Sequence, residues 1–175
     1  MNFRTPAEAY MRVKEWASEL TDDEHLIRSC IFDLHAAVEI ELRRIFYHTF
    51  KAHLFLTDDE EENKKTIATF DRMIARLGFS EMYRILRPIF DSWLMPDLKS
   101  IQNINETRNA AAHGNAVDHV DYKGRNLFKD ADCFAQMFFE VGAIRQCLAK
   151  YFDLVIEGPT ARLRRYVKKY GSGEL

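Results

Sequence analysis

The chain has 175 residues, of which 47% are hydrophobic and 30% charged, with a formal net charge of -2. That is the balance of a soluble globular protein long enough to bury a core as one domain, residues 1–175. It provides no global field to attract nucleic acid, so any such binding rests on a local basic patch.

Further classes fall away on residue usage. Only 7 glycines and 4 prolines argue against a turn-rich all-β fold, while 13 phenylalanines suit an aromatic core with an additional buried interface. Cys30, Cys133 and Cys147 show neither a CxxC pair nor Cys/His ligand spacing, and read as reduced thiols in a cytoplasmic protein. The start of the chain, with Arg4 and Glu8, has no apolar h-region, so no signal peptide is expected. No uncharged apolar run approaches membrane-spanning length.

In chain order, Thr5-Pro6 opens a first helix to about Leu20, with Tyr10, Val13, Trp16, Ala17 and Leu20 on one stripe. Thr21-Asp22-Asp23-Glu24 is a capping-box pattern. It opens a second helix that runs unbroken from about Asp22 to Leu54. Its apolar face runs through Leu26, Ile27, Cys30, Ile31, Leu34, Val38, Leu42, Ile45, Phe46 and Phe50. Polar heads on its other sides include Asp33, His35, Glu39, Glu41, Arg43 and Arg44. His35 and Glu39 stand one turn apart, but no third ligand has matching spacing. The pair is therefore read as hydrogen-bonded or solvated, and no metal site is expected. His48 and His53 do not share a face.

The acidic stretch Thr57–Glu62 reads as a solvated connection favouring the next helix N-terminus. A helix from about Asn63 to Leu77 follows, with Ile67, Phe70, Ile74 and Leu77 as its stripe and Gly78 as its stop. Ser80 caps a short helix, Glu81 to about Phe90, which Pro88 bends or shortens. Pro96 marks the start of the next helix, anchored by Leu98, Ile101, Ile104 and Ala112. A polar connection from Asn115 to about Asn126 carries only a thin strand or hairpin signal. Lys129 to about Ile156 is another long helix, with Phe134, Met137, Phe138, Val141, Ile144, Leu148 and Phe152 in its core stripe. Gly158-Pro159 breaks the chain. The segment 159–175 holds the one concentrated basic patch, Arg162, Arg164, Arg165, Lys168 and Lys169, with Tyr166 and Tyr170. Two readings stand side by side: a segment that contacts phosphates and stacks a base, or a solvated basic tail. The whole pattern makes an all-α, up-and-down helical bundle of four or more helices.

The chemistry concentrates in Asn105-Glu106-Thr107-Arg108-Asn109-Ala110-Ala111-Ala112-His113-Gly114. Three alanines favour helix, and Gly114 is placed to be the left-handed stop after it. His113 then falls in the last turn, where free carbonyls favour a cation and where an imidazole can exchange protons. At about 100° per residue, Asn105, Arg108, Asn109 and Ala112 share one side, while Arg108 and His113 are about 140° apart. On one rigid helix those two cannot aim at one atom. A turn at Gly114, or a second copy related by a two-fold axis, brings them together. The plainer reading is a surface helix with a terminal histidine and a glycine stop.

Asn105-Glu106-Thr107-Arg108-Asn109 followed by Ala112-His113-Gly114 resembles the signature of the HEPN superfamily, an arginine followed after four to six residues by a histidine, often written R-N-x-x-x-H. With the long helices before and after it, the resemblance covers most of the chain. It implies a helical bundle and a homodimer whose two motifs line one cleft. It further implies a metal-independent endoribonuclease that needs no cofactor. In that chemistry a ribose 2′-hydroxyl attacks the adjacent phosphate, His113 moves the proton and Arg108 steadies the charge that develops on phosphorus. Asn109 and Asn105 orient the phosphate or His113, and Glu39 or Asp33 holds Arg108 or assists. The family setting implies RNA as substrate, a toxin or phage-defence role, and an antitoxin protein as partner. The alternative is a non-catalytic dimeric module that regulates or binds RNA or nucleotides. In it Arg108 and Asn109 stitch the dimer and His113 only caps its helix.

Overall fold

A computed structural model describes residues 10–13, 15, 23–51, 54, 57, 59–92, 96–113 and 117–158. They form a helical bundle with one two-stranded sheet of two residues per strand. In chain order the main elements are α1 (Glu24–Lys51), α2 (Glu60–Arg76), α3 (Phe79–Ser92) and α4 (Ser100–Ala112). The hairpin β1 (Asp121–Tyr122) and β2 (Arg125–Asn126) follows, then α5 (Ala131–Tyr151). Of the expected first helix, residues 10–13 and Glu15 are helical. Its other residues lie outside the described ones, as do Gly114 and the basic segment 159–175.

Helix α1 is central and touches each of the other four main helices. Cys30, Ile31, Leu34, Val38, Leu42 and Ile45, spaced by three and four residues, are fully buried along it. They meet Ile101 and Ile104 of α4, Met82 and Leu86 of α3, and Val141, Ile144 and Leu148 of α5, all equally buried in one continuous core. Cys30 belongs to this core: burial, with Asp33 adding to it, pushes its thiol up to about 12, so it packs as a protonated side chain. Val13 joins the same core, and Tyr10 stacks on Phe138 with ring centres 4.7 Å apart.

Several element boundaries differ from the sequence reading, and three helix starts are set by aspartate caps. Asp23 caps α1 by accepting from the backbone N–H of His25 and Leu26, and Leu54, expected at the far end of the helix, lies outside it. Asp59 accepts from the N–H groups of Glu61 and Glu62, so the acidic stretch becomes the first turn of α2 and not a connection. Asp130 caps α5 through the Cys133 N–H at 2.9 Å. Arg125 holds that aspartate in place at 2.6 Å. At its far end α5 passes into a π-helical stretch, Phe152–Glu157. Helix α3 runs through Pro88, whose ring sits on the exposed side, where water can serve the carbonyl left without an N–H.

Two local features set the position of α4. The chain from Pro96 forms a tight 3₁₀ turn, Pro96–Lys99, before the α-helix begins at Ser100; the fixed φ and missing N–H of proline suit such a first turn. The thin hairpin signal is a real hairpin, with Asp121 opposite Asn126 and Tyr122 opposite Arg125. Lys123 and Gly124 both have positive φ, 52° and 78°, as a type I′ turn requires. Glu140 of α5 fastens it by accepting from the Tyr122 hydroxyl and the Lys123 ammonium, each at 2.6 Å. Burial alone would raise the Glu140 carboxyl, but donors from Lys123, Tyr122, Ser100 and Gln136 outweigh it and hold the group at about 2.

The hairpin grips α4 through one buried hydroxyl. Thr107 Oγ1 donates to the carbonyl of Asp121 at 2.7 Å, and Thr107 is 1% exposed. Replacing it with valine keeps the shape and removes the donor. Thr107→Val is expected to cost roughly 1–2 kcal/mol in urea unfolding, the loss typical of a partly buried hydrogen bond. A variant as stable as wild type would show that the hairpin contributes nothing to holding the helix.

Candidate functional site

Helix α4 buries Ile101, Ile104, Thr107 and Ala111, and this choice of face orients its polar side chains. Ala111 takes the anchoring place expected of Ala112, which is exposed. The half-buried Asn105, Arg108 and Asn109 are left toward α1 and α3. They do share one side, as the helical spacing requires. The last turn is tied down by Arg28 of α1, whose Nη1 donates to the Ala111 carbonyl at 2.7 Å and satisfies one of the free carbonyls of the helix end.

Arg108 is held by neutral groups. Its Nη1 donates to Asn109 Oδ1 at 3.1 Å, and its guanidinium lies 5.7 Å from the ring centre of Phe32 on α1. Among the described residues no carboxylate pairs with it. Glu39, expected as a holder of Arg108, accepts from Arg43 Nη2 at 2.9 Å and faces His35 Nδ1 at 3.7 Å. Asp33, the other expected holder, receives both arms of Arg12, each at 2.7 Å. Both carboxylates are thus engaged by arginines from elsewhere. The basic residues Arg162, Arg164, Arg165, Lys168 and Lys169 lie outside the described residues.

His113 is the C-cap of α4. Its backbone N–H closes the helix on the Asn109 carbonyl at 3.1 Å, while its side chain is exposed and makes no hydrogen bond among the described residues. No contact joins it to Arg108 within the described chain.

The residue the sequence reading set aside is His35. It is 5% exposed, and its ring lies 4.4 Å from that of Phe79 on α3. Its Nε2 is 3.2 Å from Asn105 Oδ1, and the amide nitrogen of Asn105 donates to Ser80 Oγ at 3.0 Å. Because Asn105 spends its N–H on Ser80, its carbonyl faces the ring, and His35 must carry its hydrogen on Nε2. Three helices meet in this chain of contacts: Glu39 and His35 from α1, Asn105 from α4 and Ser80 from α3. The signal for His35 was its place on the shoulder of the buried stripe, four residues after Ile31 and three before Val38. Among the described residues no three His, Cys, Asp or Glu side chains gather in a way that could hold a metal ion.

Two clefts border these residues. One, of about 710 Å³, runs between α1 and α2 past Glu39, Arg43 and Tyr47. The other, of about 280 Å³, lies between α3 and α4 and includes Ser80 and Asn105. Compared with known protein families, characterised proteins and solved structures, the chain matches none of them.

Burial lowers the pKa of His35 below its ordinary 6.5, against the upward pull of Glu39 and of the Asn105 hydrogen bond, with Arg108 adding to the lowering. The unfolded chain therefore binds this proton at higher pH than the folded one. The contribution of His35 to stability is complete above 6.5 and is lost as pH falls from there through the lower folded value. Urea unfolding of wild type and His35→Gln, compared between about pH 7.5 and about pH 5.5, should show the steeper acid loss in wild type. Parallel pH profiles would mean that His35 is not kept neutral by the fold.

Proposed function

We propose that this chain is a metal-independent endoribonuclease of the HEPN type, working as a homodimer. The observation that carries the reading is Arg108: a half-buried guanidinium braced by Asn109 and Phe32, with no carboxylate among the described residues to neutralise it. A guanidinium so held keeps N–H donors for phosphate oxygens, where a carboxylate partner would compete for them.

The reaction is a transfer within one nucleotide. The 2′-oxygen bonds to phosphorus as its hydrogen leaves to a base, and the bond to the 5′-oxygen breaks as that oxygen gains a proton. The ends are a 2′,3′-cyclic phosphate and a 5′-hydroxyl. Arg108 stabilises the charge on the pentacoordinate phosphorus, and Asn109 keeps the fork aimed. Asn105 fixes the rotation of α4 through His35 and Ser80. His113 serves as the proton-transfer group. Since His113 and Arg108 diverge on one helix, the site forms where the arginine of one copy meets the histidine of the other across a two-fold axis.

A specific observation favours the second reading, a non-catalytic dimeric module that binds RNA or nucleotides. Within the described chain nothing orients the His113 ring, and an acid–base group ordinarily needs a partner to fix it. In the ribonuclease reading the resemblance points to a toxin or phage-defence role, with a neutralising antitoxin as the expected partner of a toxin.

Incubation of mixed RNA with the protein in EDTA decides between them. Wild type should cut RNA and leave DNA intact, with cyclic phosphate at the new 3′ ends. Arg108→Ala and His113→Ala, shown to fold and dimerise, should each lose roughly 100-fold or more. Equal cutting by all three proteins, or of DNA as well, would overturn the mechanism. No cutting of any RNA class would leave the binding module.

A further inference from the structure

The cleft between α3 and α4 has a chemistry of its own. One wall is α3, where the neighbours Tyr83 and Arg84 each stand one helical turn before Arg87. The facing wall is α4, with Gln102, Asn105 and Glu106 at the same kind of spacing. Asn105 is the shared edge: its side chain bonds Ser80 in the cleft, and its next turn carries Arg108. A ligand in the cleft therefore ends within one helical turn of the motif arginine.

The groups are sorted along the cleft. Arg84 and Arg87 put two exposed guanidiniums at one side. Arg84 has no acidic partner among the described residues. Arg87 has only a loose pair with Asp91 at 3.5 Å, both more than half exposed, which a phosphate can replace at little cost. On the opposite wall the Glu106 carboxylate accepts from the Gln102 amide at 2.9 Å. The ring of Tyr83 is half-buried, and its hydroxyl is tied to the Leu98 carbonyl at 3.3 Å. A tethered aromatic ring is a ready surface for a base to stack on. The volume, about 280 Å³, is just below the usual range for ligand clefts and suits no more than one nucleotide.

We propose that the α3–α4 cleft is a single-nucleotide subsite, holding phosphate at Arg84 and Arg87, the base against Tyr83, and the base edge at Glu106 and Gln102. Glu106 sets a preference. A carboxylate only accepts, so it favours bases that present an exocyclic amino group, cytosine, adenine and guanine, over uracil, whose one edge donor, N3–H, is flanked by two carbonyl oxygens that repel the carboxylate. The position beside the scissile bond rests on the ribonuclease reading, whereas binding in the cleft does not.

The test is titration of the whole protein with the four nucleoside 5′-monophosphates, followed by calorimetry and by amide NMR shifts. CMP, AMP and GMP should bind, with UMP at least about fivefold weaker, and the shifts should centre on α3 and α4. Arg84→Gln/Arg87→Gln should weaken binding about tenfold or more, the effect of losing one to two charge-assisted contacts. Glu106→Gln should bring UMP within about twofold of the rest, since its amide both donates and accepts. The proposal is overturned if no monophosphate binds at millimolar concentration, if the double arginine variant binds like wild type, or if UMP binds equally well. Monophosphate binding without RNA cleavage would keep the subsite and remove the ribonuclease. Cleavage lost in Arg108→Ala, with no arginine-dependent monophosphate binding, would do the reverse.

Discussion

The amide of Asn105 has to satisfy two other helices at once, and the polar side of the bundle is arranged around that demand. Its carbonyl meets the buried His35 of α1 and its N–H meets Ser80 of α3. His35 is buried, and a buried polar atom left without its partner costs more than the bond itself contributes, whereas Ser80 is exposed and water can take its place. The helix can therefore rotate or slide only as far as the His35 contact survives. On the opposite side the apolar contacts of Ile101 and Ile104 and the Thr107 hydroxyl fix the same helix against the core and the hairpin. Between these two constraints the direction of Arg108 is set before any ligand arrives, which is what positioning groups in a site must achieve.

The same arrangement explains how an acidic region can leave an arginine uncommitted. Glu39 and Asp33 both lie on α1, the helix against which Arg108 rests, and either was a reasonable partner for it. Each is instead claimed by an arginine with a structural task. Arg43 uses Glu39 as a brace while donating to the Ile74 and Leu77 carbonyls at the end of α2. Arg12 ties the N-terminal helical residues to α1 through Asp33. The acidic side chains are consumed in joining helices, and Arg108 is braced by an amide and a ring, neither of which cancels its charge. A formal net charge of -2 is thus compatible with local positive sites, because the sign that matters is that of the groups left over after the helices are joined.

The helices were legible because their signals are local: a period of three and four apolar residues along α1 and α5, and Thr-Asp-Asp-Glu or Gly at an end. Boundaries slipped where a cap competed with a plausible neighbour, as at Asp59 and Asp130. The hairpin signal was thin because two residues per strand leave no alternation to read, and its turn needs a lysine at positive φ. Within the site, Asn105, Arg108 and Asn109 could be grouped from helical angles alone. The partners of Glu39 and Asp33 could not, since Arg12 and the end of α2 reach them only through the tertiary fold. His35 stood between: its place on the shoulder of the stripe suggested burial, but the acceptor waiting for it lies 70 residues further on.

Helical geometry also bears on how the motif residues are spread around α4. Asn105, the hinge between the motif and the α3–α4 cleft, is at the middle of an arc: Arg108 lies about 60° to one side and Glu106 about 100° to the other. A nucleotide seated in the cleft and a phosphate at Arg108 therefore occupy neighbouring faces of one helix, as a strand crossing that helix obliquely would. His113 falls inside this arc by angle, about 80° from Asn105 on the Glu106 side, but it sits about two turns further along, at the exposed end of the helix and about 140° from Arg108. In the ribonuclease we propose, a two-fold axis beside Arg108 would bring it to the histidine of the other copy, using the same residues twice.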